Sequence, residues 1–181
     1  MLLLIDMPQL ASTSAALPIA HLVLRISIVL NWLWGAAILV LLVLMPNREW
    51  IISAFDLSAS LDTNRLVWGL RATAALGLIV IALNYVVLKR LVAIVDTVRA
   101  GNPFVTANAE RLETIAKAML ALQLLSFTIG AIAKAISTPS HPVDLDAGFS
   151  ISGWLGVLLT FILARVFAEG ARMRDDLEGT V

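Results

Sequence analysis

Four long apolar runs dominate the chain, and between them polar residues cluster instead of alternating. The runs cover residues 19–45, 66–88, 115–136 and 149–168, and none of them contains an Asp or Glu. A helix rises about 1.5 Å per residue, so about 20 apolar residues cross a hydrocarbon layer of about 30 Å. All backbone polar groups must be satisfied inside such a layer, which leaves the helix as the natural conformation for these runs. The pattern predicts an all-α, four-transmembrane-helix bundle, treated as one membrane domain over residues 1–181. Pro46 closes the first run, and Pro139 and Pro142 lie beyond the third.

Helical periodicity continues past the apolar runs. The second helix has no breaker from Leu66 to Ala100, and Leu91, Val95 and Val98 keep an apolar stripe. At about 1.5 Å per residue, that length exceeds the hydrocarbon layer by roughly 20 Å. Gly101 fits the residue just past a helix end, and Asn102-Pro103 turns the chain. Thr106 is the expected cap of the third helix, with Glu110 in or near its first turn. In the last segment Val166, Gly170, Met173 and Leu177 recur on one helical face. That face is expected to dock on the ends of the second and third helices, with Gly179 ending the helix. Arg172/Asp176 and Arg174/Glu178 form i,i+4 pairs elsewhere on the surface. Residues 89–114 and 169–181 are thus extensions beyond the bilayer. Asp175, Asp176 and Glu178 sit where the helix dipole favours cations, and they form either a solvated end that tolerates a small penalty or an acidic tip directed at a basic partner.

Composition agrees with a membrane protein: 60% of residues are hydrophobic, 14% are charged, and mean hydropathy is +0.92. A net charge of zero argues against direct nucleic-acid binding. Positive charge is unevenly distributed. Arg25, Lys89, Arg90, Arg99, Arg111, Lys117, Arg165, Arg172 and Arg174 fall on one side, against Arg48, Arg65, Arg71 and Lys134 on the other. The positive-inside bias therefore puts both termini and the 89–114 connection in the cytoplasm. Trp50, Trp68 and Trp154 then lie near the outer interface. The first residues carry Asp6 and no basic stretch, which does not fit a cleaved signal peptide.

Candidate chemistry is sparse. There is no Cys, and His21 and His141 fall on opposite sides of this topology, so no shared metal or haem site is expected. No nucleophile elbow, phosphate loop or zinc-protease motif occurs, and the expectation is a non-enzymatic chain without cofactors. Arg25, Arg71, Lys117, Lys134 and Arg165 lie near span ends, where they snorkel, or alternatively bridge to Glu113 or Glu169. Asn31, Asn84 and Gln123 are deeper and are expected to hydrogen-bond between helices. Small residues recur every four positions at Gly69, Thr73 and Gly77, at Ser126 and Gly130, and at Ser152, Gly156, Thr160 and Ala164. Such stripes predict close helix packing, or homodimerisation through one of them. Trp32 and Trp34 are expected to fill gaps beside those glycines. Trp50, Ile51, Phe55 and Leu61 suggest a short helix lying on the outer interface.

The stretches GNPFVTANAERLETIA (residues 101–116) and FAEGARMRDDLEGTV (residues 167–181), on a four-span chain of this length, resemble the bacterial domain-of-unknown-function 2975 membrane proteins. The resemblance covers roughly residues 18–181. Its positions are Gly101, Asn102, Pro103, Phe104, Asn108, Arg111 and Leu112 in the connection. In the tail they are Phe167, Glu169, Gly170, Asp175, Asp176, Leu177, Glu178 and Gly179. The family has no assigned chemistry, and its members are often encoded beside a small helix-turn-helix regulator. The resemblance implies a membrane partner that holds such a regulator at its cytoplasmic face. The candidate partner-binding residues are Arg99, Asn102, Phe104, Arg111, Glu169, Arg172, Arg174, Asp175, Asp176 and Glu178. The alternative is a small-molecule sensor or carrier with a pocket between the outer halves of the helices.

Overall fold

The computed structural model describes residues 10–44, 49, 61–137 and 147–178. Four long helices make up nearly all of this: α1 (Leu10–Leu44), α2 (Leu61–Arg99), α3 (Thr106–Ile136) and α4 (Ile151–Glu178). Among the described residues there is no strand. All four helices carry a stretch long and apolar enough to cross a membrane. The 39 residues of α2 span nearly 60 Å at about 1.5 Å each, so this helix overshoots the hydrocarbon layer, as its unbroken pattern predicts. The expected interfacial helix around Trp50 to Phe55, together with His141 and Gly179, lies outside the described residues.

Local chemistry explains where α2 stops. Gly101 adopts φ +79°, a conformation that costs a side-chain-bearing residue free energy. Its N–H donates to Val98 O at 3.0 Å, and the Asn102 N–H donates to Thr97 O at 3.0 Å. These two bonds form a Schellman motif with Gly101 at the position expected of it. The start of α3 departs from expectation. Its N-cap is Val105, in extended backbone with no side-chain cap bond, and Thr106 is already helical. Glu110 lies just past the first turn, which contains no acid, and so near it as expected. The closure falls instead to Asn108, which bonds across the connection (below).

Packing follows chain order: α1 lies on α2, α2 on α3, and α3 on α4. On the α1–α2 seam, Asn31 Nδ2 donates to Ile81 O at 3.0 Å, which satisfies an amide that is 8% exposed. Gly35 also meets the Ile81 side chain there, and Gly77 faces Ile38. On the α2–α3 seam, Gly69 is pressed against Ile136. The Gly69–Thr73–Gly77 stripe therefore serves two neighbours, and Thr73 Oγ1 between them is buried without a hydrogen-bond partner. On the α3–α4 seam, Gly153 receives the Gln123 amide, Gly156 faces Met119, and the Thr160 hydroxyl donates to Gly156 O at 2.7 Å.

Two packing expectations need correction. Ser152 is exposed beside Ser150 Oγ at 3.0 Å, and Gly153, one residue on, makes the close approach. The Gln123 side chain needs a site with no Cβ, and that requirement sets the face of α4. Ser126 and Gly130 meet the segment leading into α4: Ser126 Oγ accepts from the Gly148 N–H at 3.1 Å, and Gly130 abuts the Ala147 carbonyl. Trp32 and Trp34 are 58% and 67% exposed and fill no interior gap. Trp32 tilts against Tyr85 at 5.4 Å between ring centres, and Trp34 points outward. Exposed apolar side chains cost nothing when the solvent is lipid.

The best-packed region lies toward the 100–105 connection. There Leu112, Ile115 and Ala164 form a core, flanked by Leu91 and Ile94 of α2, Met119 of α3 and Phe167 of α4. One of the two inner helices of the row, α3, carries most of the buried positions.

Candidate interaction surface at the charged end

The connection between α2 and α3 is held by one amide. Asn108 is 0% exposed. Its Nδ2 donates to Thr97 Oγ1 at 2.7 Å and to Pro103 O at 2.8 Å. Its Oδ1 accepts from Arg111 Nη1 at 2.7 Å, and its backbone N–H donates to Val105 O at 2.8 Å. The Thr97 hydroxyl passes the chain on to Ile94 O at 2.7 Å, and Arg111 also reaches Ala93 O at 3.3 Å. Every polar group of the Asn108 side chain is thus occupied, as a buried amide requires.

The connection then rests on α4. The Phe104 ring lies 5.3 Å from that of Phe167 and covers Gly170, where a Cβ would stand 2.9 Å from Phe104 Cδ1. Arg174 Nη1 donates to Asn102 Oδ1 at 3.1 Å. The two stretches that carried the family resemblance, separated by 50 residues of sequence, are therefore in contact.

The docked face of α4 is not the expected one. Val166, Met173 and Leu177 are 56%, 57% and 72% exposed. Ala164, Phe167 and Ala171 face inward, with Ala171 at 2% exposure, and Gly170 sits on the margin under Phe104. The physical reason is volume: the Phe104 ring and α3 approach α4 only where its side chains are small, and Met173 and Leu177 would hold them off.

The candidate partner-binding residues divide accordingly. Arg99, Glu169, Arg172, Asp175 and Asp176 are exposed. Glu169 and Arg172 pair at 3.7 Å, three residues apart, where an Arg172–Asp176 pair had been expected. Asn102, Phe104 and Arg174 are engaged with one another's elements, and Arg111 is turned inward onto Asn108. The side chain of Glu178 lies outside the described residues. Thr97 was not among the candidates, and Asn108 entered only as a position of the family resemblance, not as a binding residue. The signal of Thr97 was faint: a polar residue in the last turn of a helix.

Lys117 Nζ lies 2.7 Å from Glu113, on side chains 66% and 53% exposed. Lys117 thus takes the bridging option, at an exposed site. Glu113 precedes the apolar stretch, and the hydrogen bond from Lys117 lowers its carboxyl from the ordinary carboxylate value, with the charges of Lys117 and Arg165 acting in the same direction. His21 Nε2 approaches Asp96 at 3.4 Å and ties α1 to the projecting part of α2. At the opposite end Arg71 stacks over Trp68, 5.5 Å from the ring centre, in the manner of an interfacial anchor.

A cavity of about 630 Å³ opens between α1 and α2. Its walls are apolar, with only the Trp32 indole and Tyr85 hydroxyl to offer polar contact. Among the described residues no group of His, Asp or Glu is placed to hold a metal ion.

Four membrane-length helices joined in a row, with a capped and cross-bonded charged end, define a multi-pass α-helical membrane protein. Residues 47–181 match the family described as protein of unknown function (DUF2975), and the chain belongs to that family. The match takes in α2, α3, α4 and the connection, whereas α1 precedes it, so it is narrower than the 18–181 resemblance. No curated protein and no solved structure matches the chain.

Proposed function

We propose that this protein is a non-enzymatic membrane partner that binds a small helix-turn-helix regulator at its charged end, and that this end faces the cytoplasm of a bacterial inner membrane. The carrying observation is the contact of the 101–104 turn with residues 167–174, through Phe104–Phe167 and Arg174–Asn102. It gives the two family stretches a single ordered surface outside the bilayer. Exposed Glu169, Asp175 and Asp176 line its edge and suit a basic partner, as a DNA-binding regulator is. The Lys/Arg bias supports the orientation. A sensor or carrier would use the α1–α2 cavity, whose apolar walls leave little to orient a polar ligand.

The test is co-purification of the tagged full chain in mild detergent with a small basic helix-turn-helix regulator. Asp175→Lys with Asp176→Lys should weaken capture more at low salt than at high salt, because edge charges act mainly on association. Equal capture by the wild-type chain and a truncation after Gly170 would refute the proposal.

A further inference from the structure

A cleft of about 450 Å³ separates α3 from α4 where the apolar spans give way to charged residues. Its floor is Phe161 and Ala164, and its rim carries Glu110, Glu113 and Arg165. Glu113 is already paired with Lys117 at 2.7 Å. The side chains of Glu110 and Arg165 are exposed and, among the described residues, make neither an ion pair nor a hydrogen bond. One cleft thus presents a carboxylate and a guanidinium that neither bond each other nor hold a hydrogen-bonded partner among the described residues, although the Arg165 charge is felt at Glu113. Glu110, Glu113, Lys117 and Arg165 together carry no net charge.

We infer that this cleft binds a zwitterionic phospholipid with a primary-ammonium headgroup, of the phosphatidylethanolamine kind. Arg165 matches the phosphate, for which a guanidinium fork is suited. Glu110 matches the ammonium, aided by the neighbouring Glu113. A primary ammonium donates hydrogen bonds to carboxylates, whereas a choline group cannot, so choline lipids lose that contact. An anionic lipid would bring an uncompensated negative charge to a rim with two carboxylates, whose balance is already met by Arg165 and by Lys117 beside it. Phe161 and Ala164 lie on the membrane side of the rim, where the first acyl carbons would enter. The depth agrees as well: Glu110 and Glu113 just precede the 115–136 span, and Arg165 lies in the last turn of the 149–168 span. This inference is independent of the regulator and of which side the charged end faces.

Native mass spectrometry of the detergent-purified full chain tests it, with phosphatidylethanolamine, phosphatidylcholine and phosphatidylglycerol of matched acyl chains added in turn. The ethanolamine lipid should bind tightest. Glu110→Gln and Arg165→Gln should each weaken it about tenfold, the loss expected for one charged hydrogen bond. Ala168→Leu, which fills the cleft without changing charge, should weaken all three lipids. Lys134→Gln, at the far end of α3, should change nothing. Thermal midpoints of the variants, measured alongside, should stay near wild type for the two exposed polar substitutions. Equal binding of the three lipids, tighter binding of the glycerol lipid, or a preference that survives both polar substitutions would overturn the inference. Displacement of the lipid by soluble glycerophosphoethanolamine at equal concentration would overturn it too, because the apolar floor would then contribute nothing.

Discussion

Asn108 and Gly170 show how single residues set the charged end of this molecule. Asn108 joins the end of α2, the turn and the start of α3 through one fully occupied amide. Asn108→Ala removes that amide and leaves the Pro103 carbonyl and the Arg111 guanidinium short of a partner. A loss of about 1–3 kcal/mol is expected, read as a lowered thermal midpoint in detergent. Asn108→Asp should be milder near Arg111, because it keeps the acceptor that faces the guanidinium. At Gly170 a Cβ would stand 2.9 Å from the Phe104 ring. Gly170→Leu should therefore lift Phe104 from α4 and increase amide hydrogen exchange at Phe104 and Val105, while the Gly101 and Asn102 N–H groups keep their end-of-helix bonds. An unchanged exchange pattern would mean that Phe104 does not hold the turn down.

Among the helices, the seams differ in how tightly they are built. Gly69 is pressed against Ile136, whereas the nearest atom to a Cβ at Gly77 is Ile38 Cδ1 at 3.5 Å, an ordinary contact. Gly69→Ala should accordingly cost about 1–3 kcal/mol through overpacking, and Gly77→Ala close to nothing. Comparison of the two thermal midpoints checks this, and equal effects would mean that the α2–α3 seam is looser than the geometry implies. The rotation of α4 yields a second contrast. Leu177 is 72% exposed, so Leu177→Asp should stay within about 0.5 kcal/mol of wild type, as surface changes usually do. Ala171 is 2% exposed, so Ala171→Leu should cost about 1–3 kcal/mol and undock the tail. The apolar stripe visible in the sequence would have assigned these outcomes the other way round.

For the whole molecule, topology is the decisive prediction. The charged end gathers the basic residues of 89–117 and 165–174. A reporter active only in the periplasm should therefore stay silent when fused after Val181 and be active when inserted near Ser140. The reverse pattern would remove the basis of the proposed function while leaving the lipid site standing, since the cleft belongs to whichever leaflet the charged end meets. The row-like order of helices also matters at this scale. Among the helices of the described residues, α1 packs on α2 and α4 on α3, so the broad outer faces of α1 and α4 are left to the bilayer.

The sequence by itself determined the elements and their ends. Apolar length predicted four helices, because a bilayer leaves long apolar segments few other conformations. Gly101 predicted the stop of α2, because a left-handed backbone position favours a residue without a Cβ. Asn31 predicted an interhelical bond, because an amide in hydrocarbon needs a partner. Only the tertiary structure decided which faces meet. It turned Ala171 inward in place of Met173 and Leu177, chose Gly153 over Ser152, left Trp34 outside, and drew Arg111 in from the proposed binding surface to Asn108. The reason is physical. In water, polarity separates the inside of a protein from its outside. Where lipid is as apolar as the interior, polarity no longer marks the buried face, and the choice falls to side-chain volume and close fit, which are properties of two surfaces together.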